Sequence, residues 1–221
     1  MKTLIFDFDG TLGDTSQLIT TTLQQTIAHV GLPVPPDDQC RETIGLPLEV
    51  AFRFLTNRED EFAKNCAELY RHQFFPVNAK KFVVHPYPHV ASTINKLFSS
   101  GFQLCIASSR NRDSLHQLLE EMKIDHKFQY TLGGSDVTHQ KPAPDLVLEL
   151  LRLTDTASEE ALVIGDTAYD MAMGHAAYCM TCGVTYGNGS RESLETANAD
   201  YMIDSFDQLL PLIGRLSSNN F

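Results

Sequence analysis

The chain has 221 residues and a formal charge of −11. That size suits one globular unit or a core with an inserted module, and the charge, with no local basic patch to offset it, argues against nucleic acid or an anionic membrane as a partner. An ordinary apolar fraction of 43% allows a sizeable core, while the lack of a long apolar run or a leading signal peptide points to a cytoplasmic protein.

In chain order, residues 2–6 read as a buried strand, short and apolar. It ends in Asp7-Phe8-Asp9-Gly10-Thr11. Ligands of open α/β sheets collect beyond the carboxyl ends of strands. Two carboxylates so close repel unless a cation compensates, and Mg²⁺ suits an all-oxygen site that retains waters and phosphate oxygens. An isolated Asp-x-Asp reads equally as an acidic turn, so the rest of the chain must decide.

From Asp14 the pattern becomes helical. Leu18, Ile19, Leu23, Ile27 and Val30 predict a helix over 16–30, stopped by Gly31-Leu32-Pro33. Pro35-Pro36-Asp37-Asp38 predicts another start, capped by an Asp. Helices are expected over 47–55 and 59–75. The loop Thr43-Ile44-Gly45-Leu46-Pro47 reads either as a plain helix–helix turn or as a segment dipping toward a ligand.

Strands and helices then alternate: helix 90–99, strand 102–107, helix 113–122, strand 128–132, helix 145–153, strand 161–164, helix 169–177, strand 180–184, strand 201–203 and helix 206–216. Alternation of this kind implies a parallel sheet covered on both faces. Fraying is expected at 217–221. Strand 102–107 ends in Ser108-Ser109-Arg110, whose hydroxyls can donate to a phosphoryl oxygen; alone, the pair reads as a helix cap, with Ser109 or Asn111 serving. Lys141-Pro142-Ala143-Pro144-Asp145 places a lysine before a Pro-rich helix start. Strand 161–164 ends in Gly165-Asp166-Thr167-Ala168-Tyr169-Asp170, two carboxylates one helical turn apart.

These four pieces, in this order, resemble the haloacid dehalogenase superfamily, in the subclass with a small helical cap. Asp7 to Thr11 looks like its D-x-D-G-T signature. Ser108 matches the second motif, Lys141 the K-P-x-P third, and Gly165-Asp166-Thr167 with Asp170 and Gly174 the fourth. The resemblance implies a Rossmann-like doubly wound sheet, residues 1–14 with 83–221, and an inserted helical cap, residues 15–82, hinged near Gly13-Asp14 and 83–88. It implies Asp7 as nucleophile, Asp9 as general acid and base, and Ser108 and Lys141 on the phosphoryl oxygens. Mg²⁺ would be held by the Asp7 carboxylate, the Asp9 carbonyl and Asp166, with Asp170 in support. Gly10, Thr11, Ser109, Arg110 and Gly45 are the candidate substrate-binding residues. The expected partner is a small phosphorylated metabolite, and the expected state a monomer or weak homodimer.

A carboxylate at Asp9 favours phosphate ester or anhydride chemistry over dehalogenation. Lys64, Lys80 and Lys81 offer no context for the imine-forming lysine of the phosphonate-cleaving branch. The segment 183–187 and the Gly45-Leu46-Pro47 loop look most similar to phosphoglycolate phosphatase-like proteins, with inorganic pyrophosphatases close behind and a hexose-phosphate phosphomutase as a further alternative. Four places depart from the family pattern: Gly13 for a bulkier apolar residue, Ser109-Arg110 for Asn-Lys, and His89 and Tyr178 for glycines. The five cysteines are scattered and odd in number, unlike a disulfide framework. Cys179-x-x-Cys182 falls at an apolar strand and reads as buried thiols, not as a zinc or redox pair. His139 reads as a loop residue near Lys141.

Overall fold

The computed structural model describes residues 1–218. Six parallel strands form one sheet: β1 (Thr3–Phe6), β4 (Gln103–Ala107), β5 (Tyr130–Leu132), β6 (Ala161–Gly165), β7 (Met180–Val184) and β8 (Tyr201–Ile203). Their order across the sheet is β5-β4-β1-β6-β7-β8, so β1 lies in the middle and the chain winds outward to both edges.

Alternation along the central strands explains why they read as unbroken apolar runs. Leu4 and Phe6 of β1 join Ile106, Ile164 and Phe206 on one face. Ile5 joins Cys105, Val163, Leu146 and Leu150 on the other. All of these are fully buried, each worth roughly 1.5–3 kcal/mol for the larger side chains. Helices α6 (Val90–Ser99), α7 (Arg112–Glu121) and α11 (Leu209–Ser218) supply apolar residues to the first face, and α8 (Asp145–Thr154) and α9 (Ala168–Ala176) to the second. A short helix, α10 (Arg191–Thr196), was not expected from the sequence; Ser190 caps it by accepting from the Ser193 backbone N–H.

Register fixes where the strands end. Phe6 pairs with Ile106 on one side and Ile164 on the other. The Asp7 N–H donates to the Ile164 carbonyl at 2.8 Å, and the Ser108 N–H to the Leu132 carbonyl at 3.0 Å. Asp7, Ser108 and Asp166 are each the first residue beyond their strands, with Asp7 one register step short of the other two.

The helical insert lies between a short antiparallel ribbon, β2 (Gly13–Asp14) and β3 (His85–Pro86), in which Gly13 pairs with Pro86 and Asp14 with His85. It contains α1 (Ser16–His29), α2 (Asp37–Glu42), α3 (Leu48–Thr56), α4 (Asp60–Leu69) and α5 (Phe75–Asn78). The expected helix over 59–75 is broken: a π turn spans Tyr70–Phe74 before α5 begins. Pro76, with no N–H to continue the ladder, accounts for the interruption. No Asp side chain caps α2; Pro36 is the cap residue, and Asp37 and Asp38 sit in the first turn, where the helix dipole favours them. Asn111, one of the two candidates, caps α7 by accepting from the Ser114 N–H at 2.9 Å. Helix α11 runs through Ser218, and 219–221 of the segment expected to fray lie outside the described residues. No helix of the described residues is long and apolar enough to cross a membrane.

Three of the four family departures lie outside the cavity lining. His89 and Tyr178 both adopt the left-handed conformation, φ 68° and 59°, which favours glycine. At Gly13, a Cβ would lie 3.1 Å from Phe8 Cζ and 3.3 Å from Val84 Cγ1, so the Phe8 ring already fills the space of a side chain there.

Candidate active site

The loop after β1 turns sharply at Gly10, φ +89°, where a Cβ would stand 2.1 Å from Asp166 Oδ2. Only glycine lets the chain pass that close to a carboxylate. The turn brings the Thr11 hydroxyl to Asp166 Oδ1 at 3.3 Å. Asp166 Oδ2 accepts from the Asn188 backbone N–H at 2.6 Å and its side-chain amide at 3.2 Å. Asn188 in turn accepts from the Ser16 hydroxyl at 2.6 Å, tying the start of α1 to the sheet.

Lys141 arrives from the loop before α8 and is only 2% exposed. Its Nζ donates to Asp7 Oδ1 at 2.5 Å and to Asp170 Oδ1 at 2.6 Å. Asp170, in the first turn of α9, accepts through Oδ2 from the Thr167 N–H at 3.0 Å and the Thr167 hydroxyl at 2.7 Å. This reciprocal cap fixes the carboxylate that faces the lysine.

Oxygens of Asp7, Asp166 and Asp170 all lie within 4.8 Å of one another, and all three residues are buried. Burial, then the charges of Asp170, Asp166 and Asp9, holds the Asp7 carboxyl well above the usual carboxylate range, against the opposing pull of Lys141. Burial and the neighbouring Asp170 push Asp166 up to about 7. Burial alone would lower the Lys141 ammonium; Asp170 and Asp7 outweigh it and raise its pKa. Three buried carboxylates against one ammonium leave negative charge uncompensated, and the all-oxygen donor set fits a hard divalent cation.

The Asp9 carboxylate lies outside that acidic group. Its Oδ1 accepts from the Thr15 hydroxyl at 2.6 Å and from Arg110 Nη2 at 2.5 Å, and its Oδ2 from Arg110 Nε at 3.2 Å. Any metal contact at this residue would fall to the backbone carbonyl. Arg110 is almost buried, with its guanidinium 5.1 Å from the Phe75 ring centre.

Of the serines after β4, Ser108 is fully buried and its Oγ accepts from the Arg110 N–H at 3.2 Å. The Ser109 hydroxyl donates to the Gly45 carbonyl at 2.7 Å, so its proton is directed at the helical insert. Gly45 has φ +97°, and a Cβ there would stand 3.3 Å from Thr167 Cγ2. The 43–47 segment thus comes down onto the sheet side of the site. Above Asp7 and Asp9 is a cavity of about 260 Å³, bounded by Gly45, Ser109 and Arg110 and closed by side chains of α1, α3 and the π turn.

Sequence reasoning missed Thr15, Asn188 and Tyr70. Thr15 and Tyr70 carry no motif. Asn188, between Gly187 and Gly189 after a strand end, had a local signal in those glycines. His139 is exposed, with Nδ1 3.0 Å from Asp145 Oδ2. Cys179 and Cys182 are buried, and burial pushes their thiols up to about 11 and about 12.

The haloacid dehalogenase-like hydrolase family matches residues 4–184. Among curated relatives, the pyrophosphatase PpaX of Anoxybacillus flavithermus is 30% identical, over 97% of this chain and 97% of its own. The phosphoglycolate phosphatase of Salmonella typhimurium is 27% identical, over 100% of this chain and 95% of its own. A crystal structure of a predicted phosphatase from Clostridium acetobutylicum superposes with a TM-score of 0.89 at 27% identity, covering 97% of this chain and 98% of that one.

Proposed function

The chain belongs to the haloacid dehalogenase-like hydrolase family, and from that premise we propose that it is a Mg²⁺-dependent phosphatase of small phosphorylated metabolites, working through an aspartyl phosphate on Asp7. The observation that carries the reading is the convergence of Asp7, Lys141, Asp166 and Asp170 beyond the strand ends.

In this reading an Asp7 carboxylate oxygen attacks phosphorus, and the bond from phosphorus to the ester oxygen breaks. Asp9 gives its proton to that leaving oxygen. It then takes a proton from the water that attacks the acyl phosphate, which frees phosphate and restores the Asp7 carboxylate. Arg110 and Thr15 hold the Asp9 carboxylate in place: a proton on Oδ2 displaces only the Arg110 Nε contact, while Oδ1 keeps Thr15 and Arg110 Nη2. The Lys141 ammonium, fixed between two carboxylates, and the Ser108 side chain bind the transferring phosphoryl oxygens, where positioning and charge do most of the work. Mg²⁺ held by Asp7, Asp166, Asp170 and the Asp9 carbonyl would neutralise phosphate charge. Gly10 and Thr11 shape the floor of the substrate site, and Ser109, Arg110 and Gly45 its rim. Residues 15–82 act as a cap that moves on the β2–β3 ribbon and excludes water when closed.

A second reading, inorganic pyrophosphatase, draws support from the 30% identical relative of that name. The phosphomutase alternative has only a likeness of fold behind it. Acid-quenching the protein during turnover of a phosphate ester with Mg²⁺, followed by peptide mass analysis, should find one phosphoryl group on Asp7. A phosphorylated residue elsewhere, or turnover retained in Asp7→Asn, would refute the assignment.

A further inference from the structure

The roof of the cavity is unlike its floor. Ile19, Leu23, Ile44, Leu48, Tyr70 and Phe75 form it, and among the described residues the only cations that reach the cavity wall are Arg110 and Arg71. Neither is free. Arg110 is committed to Asp9 through two nitrogens and covers the Phe75 ring. Arg71 lies 2.7 Å from Glu49 and 3.0 Å from Glu68, so two carboxylates surround one guanidinium.

A leaving group bearing its own negative charge would meet an apolar roof, neutral side chains such as Asn111, Ser135 and Gln140 along the wall, and no uncommitted cation among the described lining residues. Burying a charge without a partner is costly, and such an unmatched arrangement discriminates as effectively as an attractive contact. Among the roof residues Tyr70 brings a polar group to the cavity lining. Tyr70 is 5% exposed, its ring is held 6.1 Å from Phe52 and stacked 6.0 Å from Phe75, and its hydroxyl makes no hydrogen bond among the described residues. The π turn that carries it is a feature often found at functional sites.

We propose that this roof selects a phosphate monoester whose leaving alcohol is uncharged and largely apolar, with one atom for the Tyr70 hydroxyl, and that it rejects substrates bearing a carboxylate or a second phosphate at that end. The inference rests on the phosphatase reading. It departs from what the relatives' names denote, because those names belong to chains that differ from this one at most positions. The cavity of about 260 Å³ is just below the usual range for small-molecule sites, roughly 300–1,000 Å³, so the alcohol is small and a nucleotide-sized one is excluded.

The test compares 2-phosphoglycolate with its primary amide, a pair of the same shape differing in one charge. n-Butyl phosphate and pyrophosphate are run beside them, all with Mg²⁺. The amide should exceed the acid by about tenfold or more in kcat/KM, equivalent to ~1.4 kcal/mol, and butyl phosphate should exceed pyrophosphate. Glu49→Gln, which releases Arg71 from one partner, should narrow the gap between amide and acid several-fold. Equal or better use of the acid or of pyrophosphate overturns the inference while leaving the phosphatase reading standing; so does an unchanged gap in Glu49→Gln. A folded protein that binds Mg²⁺ by calorimetry yet turns over none of the four refutes the phosphatase reading, and the inference with it.

Discussion

The floor and the roof of the cavity are built on opposite principles. On the floor, Lys141 bonds a carboxylate 134 residues away in sequence, and its acids are held by partners from several loops. The roof comes from one continuous stretch, from Ile19 to Phe75, and is made mainly of apolar side chains on helices. Floor positions are dictated by strand register, which cannot shift by one residue without turning every side chain to the wrong face. Roof positions are dictated by packing, which tolerates exchange of one apolar group for another of similar volume. Chemistry is therefore the rigid part of this molecule and selection the adjustable part.

The strongest way to break that contrast is Asp7→Asn, expected to lower kcat on the order of 10⁴-fold or more while leaving the fold intact. Phosphate release under saturating Mg²⁺ measures it; a loss under tenfold would remove Asp7 from the chemistry. Asp9→Asn should cost about 10²–10⁴-fold in kcat and should hurt esters of poor leaving groups more than phenyl phosphate. Equal losses on both would deny Asp9 its role as acid.

The crowding of the floor carries a sign of its own. The Asp166 carboxyl, ordinarily near 3.8, sits at about 7 in the folded protein because of burial and Asp170. Between those values the folded form holds a proton that the unfolded chain has released. In EDTA, stability should therefore fall as pH rises from about 4 to about 7, by on the order of a few kcal/mol, and saturating Mg²⁺ should flatten the slope. Urea midpoints at the two ends of that range would show it; a midpoint that rises with pH in EDTA contradicts it.

On the roof, Tyr70→Phe should raise KM a few-fold for substrates that offer an acceptor and leave alkyl phosphates nearly unchanged, since a net hydrogen bond is worth about 1 kcal/mol. An equal loss on both classes would mean only that the ring has moved. The smallest effect belongs to neither region. Tyr178 is 87% exposed with φ 59°, so Tyr178→Gly should raise stability by about 0.5–1 kcal/mol without altering kcat; a lower thermal midpoint would show that the ring contributes packing.

The floor was legible because its chemistry forces unusual residues into unusual places: carboxylates directly after apolar strands, a lysine before a proline-rich helix start. The parallel sheet was legible for the same physical reason, since Ile5 and Phe6 are buried on opposite faces and leave no polar alternation. Arg110 was read as a departure, and nothing in one dimension reveals its clasp on Asp9, made across 101 residues. Tyr70 was read as part of a long amphipathic helix, because only the placement of Pro76 distinguishes the π turn. The roof as a whole was opaque: Ile19 and Leu23 at helical spacing look the same whether they face a core or a ligand. Gly45 lay between these cases, visible as a turn while its descent onto Ser109 and Thr167 stayed open.

The pairing of Gly13 with Pro86 and Asp14 with His85 places the exit and return of the helical insert side by side, about 4.8 Å apart as neighbouring strands are. A block whose two ends nearly touch has the geometry of an insertion, although its apolar side chains share one core with the sheet. A turn could replace it, or a block of another length could be spliced in, without displacing a strand of the sheet. Lineages that keep the same reactive base can thus diverge in appetite by trading a single contiguous stretch of gene.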